Sequence, residues 1–209
     1  MVHHDSNIPP LALGAALRRW RLLHRVKQEH AAELLGVAQS TISRWESGRQ
    51  AMEPAERAKI EAIVSARLDT SADRVLAQLV SESPRSVHLI CDFTHRLLAC
   101  STVRANEFSV PASELIGSSL RRYATRRIEA EETLLIDKGW YEQAAPMPVE
   151  FDTGENDSSV VPIRSSRCRW TRLLLSDGTP ARLVETLHYS RLSIQSGTST
   201  SADSSLNRG

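Results

Sequence analysis

The spacing of apolar residues predicts that the first third of the chain is helical. Apolar side chains recur three or four positions apart over residues 13–23, 31–35, 42–45 and 58–64. This period is typical of amphipathic helices. Glycine and proline lie between these runs, and Pro54 suits the first turn of a helix. The pattern predicts four or five short helices joined by brief turns.

A further helix is predicted directly after this region. The polar stretch at 69–73 precedes "ADRVLAQLVSES", and Pro84 ends it. The apolar face of this segment consists of Val75, Leu76, Leu79 and Val80. We expect a linker helix between two domains.

The period then changes to one that favours strands. The candidate strands are "SVHLICDF", "RLLACST", "MPVEFDT", "SVVPIRSS", "RCRWTRLLLS" and "ARLVETLHY". The turn "DFTH" joins the first two, and Asp177-Gly178 predicts a hairpin between the last two. "VPASELIGSSLRRYA" returns to helical spacing in the middle. Strands around a helical patch predict a second, α+β domain.

These patterns divide the chain into five predicted segments. They are a flexible arm at 1–10, a helical domain at 11–68, a linker helix at 69–84, an α+β domain at 85–189 and a disordered tail at 190–209. The tail is rich in serine and threonine and has almost no core-forming residues.

Composition excludes several classes of protein. The net charge is +1, with +3 over residues 1–67 and −2 over the remainder, which fits a nucleic-acid partner for the first domain without requiring one. Three scattered cysteines argue against a disulfide framework or a thiolate zinc site. No signal peptide or membrane span is expected, so the predicted location is cytoplasmic.

The segment "KQEHAAELLGVAQSTISRWESG" predicts two short helices and a turn. The first would span 28–35 and end at Gly36, which easily adopts a left-handed conformation. The second would span 39–46, with Ile42 and Trp45 on its buried face. Its other face would carry Gln39, Ser40, Thr41, Ser43 and Arg44. Short or planar hydrogen-bonding side chains of this kind suit the DNA major groove, whereas a solvated surface helix is the alternative.

The order of these residues resembles the helix-turn-helix of the phage-repressor/Cro-like (XRE) family. The resemblance covers roughly residues 13–68 and is strongest in "QEHAAELLGVAQSTISRWESG". It implies a five-helix domain whose third helix enters the major groove. Lys27 departs from the pattern, because a Ser or Thr N-cap is usual there, at a cost of about 1 kcal/mol.

The resemblance also implies roles for single residues. Gln39, Ser40 and Arg44 would contact bases, and Thr41 and Ser43 either a base or a phosphate. Lys27, Gln28 and Arg49 would contact the DNA backbone.

Four neighbouring positions leave alternatives open. Arg18, Arg19 and Arg21 would either add positive potential or form a solvated helix face. Trp20 is predicted, like Trp45, to be a core residue rather than a base-stacking group, since both fall on apolar spacing.

The second domain resembles a PAS-type sensor fold. The resemblance rests on "VHLICDFTHRLLACSTVRANEFSVPASELIGSSLRRY" and on the hairpin at Asp177-Gly178. It implies a five-stranded antiparallel sheet with helices on one face and a cavity between them. No cofactor is expected. Cys91, Cys100 and Cys168 are predicted to be inert thiols, and residues 112–138 contain no histidine for a haem. A small-molecule ligand and an empty, purely dimerising domain both stay open.

The sequence predicts a DNA-binding transcription regulator that acts as a homodimer on double-stranded DNA. Catalysis is not expected. Asp92 with His95, or Glu185 with His188, could form an acid/base pair, but no nucleophile motif accompanies either pair. A third hypothesis is an antitoxin-like repressor whose C-terminal half binds a protein partner.

Overall fold

The structure, a computed structural model, describes residues 10–143 and 145–189. Residues 1–9 of the predicted arm and the predicted tail at 190–209 lie outside the described residues. Pro10 is already the first residue of a helix.

Five helices precede the first strand. They are α1 (Pro10–Leu23), α2 (Gln28–Leu35), α3 (Gln39–Glu46), α4 (Pro54–Val64) and α5 (Ser71–Ser81). The bounds of α2 and α3 are those that the sequence predicts. The fifth helix lies within the predicted linker helix at 69–84.

Local signals explain where these helices begin and end. Gly36 follows α2 with φ +71°, a left-handed conformation that glycine adopts without steric cost. Pro54 opens α4, where Glu53 and Glu56 form a reciprocal capping box. Thr70 and Asp73 form another at the start of α5.

A close crossing of α1 and α3 fixes the orientation of α3. Gly14 lies at this crossing, and a Cβ atom added there would lie 2.0 Å from the carbonyl oxygen of Trp45. The absence of a side chain at Gly14 therefore lets the two backbones touch.

The second domain contains five strands and several short helices. The strands are β1 (Val87–Cys91), β2 (Leu97–Cys100), β3 (Val149–Asp152), β4 (Ser166–Leu174) and β5 (Pro180–Tyr189). The helices are α6 (Thr102–Ala105), α7 (Ala112–Leu115), a 3₁₀ turn (Leu120–Tyr123) and α8 (Arg126–Asp137).

Two sequence predictions for this domain need correction. "SVVPIRSS" was expected to be a strand, but residues 159–165 form bends and loop. Asn156 holds this loop through its side chain, which donates to the Val161 carbonyl and accepts from the Ile163 N–H. The single helical patch expected in the middle is two one-turn pieces, α7 and the 3₁₀ turn, followed by the longer helix α8.

The strands form one antiparallel sheet in the order β2-β1-β5-β4-β3. The chain is thus an α+β protein, a helical region followed by the five-stranded antiparallel sheet of PAS-like topology that the resemblance implies. All five residues of β1 are buried, because both faces of this strand are covered. His88 and Ile90 face one side of the sheet, and the alternate residues Leu89 and Cys91 face the other.

The first domain packs against the second side of this sheet. Cys91 donates through Sγ to the Val64 carbonyl, and the Ala66 N–H donates to the same sulfur, both at 3.4 Å. Asp73 of α5 accepts hydrogen bonds of 2.9 Å from the backbone and side chain of Ser176. No helix among the described residues is long and apolar enough to cross a membrane.

Candidate nucleic-acid interface and the cavity of the second domain

Helix α3 is anchored by its apolar face. Ile42 and Trp45 are buried in the core of the helical domain, where they join Leu13 and Leu17 of α1 and Leu35 of α2. This contact turns the opposite face of α3 outward.

The outward face carries the residues that the sequence singled out. Gln39, Ser40, Ser43 and Arg44 are exposed, and Thr41 is half-buried. The structure therefore brings these five predicted base-contacting residues onto one eight-residue helix.

A hydrogen-bond network ties α3 to the two preceding helices. Arg21 donates to both carboxylate oxygens of Glu46, at 2.6 and 2.8 Å. Gln28 donates to Glu46 at 2.9 Å and accepts from the side-chain amide of Gln39 at 2.7 Å. The position of Gln39 at the start of α3 is thus fixed by a side chain from α2.

The predicted backbone-contacting residues flank this surface. Lys27 and Arg49 are exposed, Gln28 is half-buried, and no salt bridge within the described ranges holds Lys27, Arg44 or Arg49. Lys27 and Ala38 precede α2 and α3 without a side-chain cap. The first N–H groups of both helices therefore lack the side-chain partner that usually satisfies one of them.

Two arginines of α1 were assigned wrongly from the sequence. Arg19 is buried and donates to the Phe93 carbonyl at 3.2 Å, and Arg21 forms a salt bridge with Glu46. Neither forms a solvated face or a free positive surface. Arg18 is exposed, and Trp20 packs against the core as predicted.

A cluster of buried charges lies between the sheet and α8. Arg182 of β5 is 1% exposed and pairs with Asp92 and with Glu132 of α8, the latter at 2.6 Å. Glu132 also contacts His95 at 3.0 Å and Arg19 at 3.1 Å. The cluster therefore joins the second domain to α1 of the first.

The cluster keeps its members in fixed charge states. Burial alone would raise the pKa of Glu132, but Arg182, His95 and Arg19 hold that pKa well below its usual range. Burial lowers the pKa of His95, and Glu132 opposes this only in part. Burial opposes the charge of Arg182 as well, yet Asp92 and Glu132 raise its pKa well above the usual value.

The two acid/base pairs considered from the sequence are Asp92 with His95 and Glu185 with His188. In the structure, Asp92, His95 and Glu185 each contact other partners. Asp92 accepts from Trp140 at 2.8 Å and from Arg182, whereas His95 contacts Glu132. Glu185 forms salt bridges with Arg85 and Arg169. The side chain of His188 lies outside the described residues.

The three cysteines are free thiols. Cys91 and Cys168 are buried, and burial raises the pKa of Cys168 to about 12. Burial also raises the pKa of the half-buried Cys100. Such thiols are poor nucleophiles, since the thiolate is the reactive form. Within the described ranges no group of three or more His, Cys, Asp or Glu side chains could hold a metal ion.

A cavity of about 460 Å³ lies on the His88 side of the sheet. Strands β1, β4 and β5 form its floor, and the 3₁₀ turn, α8 and the loop at 161–164 form its walls. Glu132 and Arg182 line this cavity and also belong to the buried cluster. The cavity wall therefore contacts α1 through the salt bridge of Glu132 with Arg19.

Comparison with protein families agrees with the geometry of the first domain. Residues 12–79 match the family model described as "Helix-turn-helix domain". The first domain is a helix-turn-helix domain. Its matched region ends within α5, so the match includes most of the helix that was predicted as a linker.

Solved structures similar to the chain include PAS domains. The PAS domain of an HTR-like protein from Haloarcula marismortui is 17% identical, with a TM-score of 0.41 over 56% of this chain and 91% of that one. The PAS domain of BvgS from Bordetella pertussis is 13% identical, with a TM-score of 0.38 over 57% and 86%. An RNA-binding light-oxygen-voltage receptor is 11% identical, with a TM-score of 0.40, and the match covers 88% of this chain and 59% of the receptor. No curated protein sequence matches the chain.

Proposed function

We propose that the chain is a sequence-specific transcription regulator of the XRE type that binds an operator through α3. The observation that carries this proposal is the division of α3 into a buried face, Ile42 and Trp45, and an exposed face of short or planar polar side chains. Gln39, Ser40 and Arg44 contact base edges in the major groove. Thr41 and Ser43 contact a base or a phosphate.

Three flanking residues bind the DNA backbone in this proposal. Lys27 and Arg49 are exposed cations, just before α2 and just after α3 respectively, and Gln28 lies at the start of α2. Backbone N–H groups at the uncapped start of α2 add donors for a phosphate. Such contacts place the helix on the duplex without selecting its sequence.

Selection from a random DNA pool by the full-length protein tests this proposal. We expect a palindromic motif whose half-sites lie about one helical turn apart. A Gln39→Ala variant should change the motif, whereas Arg126→Ala, an exposed position on α8, should leave it unchanged. If no DNA is enriched, the proposal is wrong and the helix-turn-helix is a protein-binding module instead.

We further propose that the protein is a homodimer formed through α5. Val75 and Leu79 lie four residues apart on this helix and are 55% and 64% exposed. The same helix packs its buried residue Val80 against the rest of the protein, so its outer apolar face is left for a second copy. A dimer would double the length of DNA that is recognised.

The sedimentation coefficient tests the dimer. The double variant Val75→Glu/Leu79→Glu should sediment as a monomer and lose the palindromic half of its DNA motif. Leu134→Glu, an exposed leucine on α8, should sediment like the wild type. A variant that stays dimeric would contradict the role of α5.

The cavity is the proposed sensing site, and Glu132 is its link to the DNA-binding domain. Glu132 lines the cavity and forms the 3.1 Å salt bridge with Arg19 of α1. A ligand that displaces Glu132 would therefore alter how α1 is held against the second domain.

Substitution of Arg19 tests this link. The change Arg19→Gln removes the bridge but leaves Glu132 paired with Arg182 and His95. In selections that vary the half-site separation, we expect the variant to accept a wider range of spacings with an unchanged half-site sequence. A spacing preference equal to that of the wild type would contradict the link.

A further inference from the structure

The cavity of the second domain has walls of two kinds. Most of its surface is apolar and is lined by Ile90, Phe108, Leu120, Ile128, Val161 and Trp170. The charged side chains on its wall are Arg104, Arg121, Arg164, Arg182, Glu107, Glu129 and Glu132. Four cations therefore face three acids in a largely apolar chamber.

Two of the arginines form salt bridges with acids. Arg182 is shared by Asp92 and Glu132. Arg104 is 9% exposed and pairs through Nη1 with Glu107, while its guanidinium lies 4.8 Å from the ring centre of Phe108. Arg121, in contrast, forms no salt bridge within the part of the chain that the structure describes.

Unsatisfied donors remain on this wall. Nε of Arg104 and Nη1 of Arg121 are both buried, and neither has a hydrogen-bond partner among the described residues. A buried guanidinium N–H without a partner costs free energy, because the water that it loses is not replaced. Two such donors, both on residues that line the same cavity, are the arrangement expected where an anion binds.

A third polar group, the imidazole of His88, lies on the floor of the cavity and can hydrogen-bond to a ligand. His88 of β1 is buried and lines the cavity beside Arg104. Burial and the nearby Arg104 keep the pKa of His88 well below its usual value, so the imidazole is neutral at pH 7. A neutral imidazole adds no positive charge, but it offers one donor and one acceptor to a bound molecule.

We propose that the cavity binds a small molecule with an apolar body and one anionic group, a carboxylate or a phosphate. Arg121 and Arg104 bind the anionic group, and the apolar wall formed by Phe108, Trp170 and their neighbours covers the body. This inference rests on the proposed sensing role of the cavity and specifies the chemistry of its ligand.

A matched pair of fluorescent probes tests the proposal on the full-length protein without DNA. Anilinonaphthalene sulfonate is anionic, and N-phenylnaphthylamine is the same ring system without the sulfonate. We expect the sulfonate to bind more tightly than the neutral probe. Displacement by octanoate and by octyl phosphate, with octanol as the neutral competitor, then distinguishes a carboxylate from a phosphate.

Variants of Arg121 decide whether the anion is bound where we propose. Arg121→Gln should weaken the anionic probe by about tenfold or more and leave the neutral probe unchanged. Arg121→Lys retains the charge and should recover part of the loss. The matched control is Arg126→Gln, an exposed arginine of α8 that does not line the cavity. Thermal unfolding checks that all variants are folded.

Three results would overturn the proposal. They are no binding of the anionic probe, equal binding of the two probes, and an affinity for the anionic probe that Arg121→Gln does not change. Failure here is distinguishable from failure of the proposed function, because DNA selection by the same protein needs no ligand and probe binding needs no DNA.

Discussion

Arginine occupies opposite surroundings in two regions of this molecule. On α3, Arg44 is exposed and forms no salt bridge within the described residues. In the buried cluster between the sheet and α8, Arg182 is 1% exposed and contacts two carboxylates. The exposed arginine is free to exchange water for a DNA base, whereas the buried one is committed to its protein partners.

Removing a charged side chain should therefore lower the free energy of unfolding by different amounts in the two regions. An exposed charge contributes little to stability, because water already solvates it. A buried charge that loses its partner leaves an unpaired charge in a medium of low dielectric constant. Substitutions of exposed and of buried arginines should accordingly separate DNA binding from folding.

The largest effect is expected for Arg182→Met. The substitution fills similar volume but leaves Asp92 and Glu132 without their shared cation. Breaking a buried pair in this way costs about 3–5 kcal/mol of the free energy of unfolding. Urea unfolding measures the loss, with Arg126→Met on the exposed face of α8 as control. Equal stability of the two variants would remove the distinction between the regions.

The next effect concerns the crossing that positions α3. In Gly14→Ala the new methyl group meets the Trp45 carbonyl oxygen, a backbone atom that cannot turn away. We expect a loss of about 1–3 kcal/mol in the free energy of unfolding and weaker DNA binding together. Arg18→Ala, on the exposed face of α1, should change stability little. A Gly14→Ala protein with full stability would contradict the close approach.

The same two regions differ in how far the sequence predicts them. The bounds of α2 and α3 follow from residues within a short segment: Gly36 ends one helix, and the pair Ile42 and Trp45 sets the buried face of the next. These signals are local, so the order of residues is enough to predict the helices.

The buried cluster depends on residues that are far apart in the chain. Arg182 meets Asp92 across 90 residues and Glu132 across 50, and nothing near any of them indicates its partner. Arg19 looks like its exposed neighbour Arg18 in the sequence. Its burial is decided by the packing of the second domain.

Helix α8 has a local sequence signal that could have predicted it. Thr125 caps the helix by accepting from the Ile128 N–H, and Ile128, Glu132 and Leu135 share the spacing of one helical face. An acid on an otherwise apolar face indicates a buried partner. The pattern could have predicted that Glu132 is paired, but not with which residue.

A change at Arg44 tests the exposed region. Arg44→Ala should weaken binding to the selected operator by about 1–3 kcal/mol and relax the preference at one base pair. It should not alter urea unfolding, because the side chain is exposed. Binding to the selected operator and to all its single-base variants measures both effects. A uniform loss on every sequence would place Arg44 at the DNA backbone.

Acid should destabilise the protein through the buried region. Burial lowers the pKa of both His88 and His95 in the folded state, so the unfolded chain binds protons first as the pH falls below about 6.5. The free energy of unfolding should therefore decrease between about pH 7 and about pH 5. Glu132, whose pKa is held below its usual range, adds to the loss as the pH falls further.

Urea midpoints across this range test the effect of the two histidines. His88→Gln should lessen the slope of stability against pH, because one group no longer titrates in the unfolded chain. His30→Gln is the matched control, since His30 is an exposed residue of α2. Equal slopes in the two variants would contradict burial of a neutral His88.

The smallest effect is expected for Arg49. It tests whether the exposed region has separate base-contacting and phosphate-contacting residues. A phosphate-contacting cation contributes to binding of every sequence and releases a counterion from the DNA. Arg49→Ala should therefore weaken specific and non-specific DNA alike and reduce the slope of log affinity against log salt by about one. Arg44→Ala should instead act mainly on sequence preference. If the two variants shift the salt slope and the preference equally, the assignment of Arg44 to bases and Arg49 to phosphates is wrong, even if α3 lies in the groove.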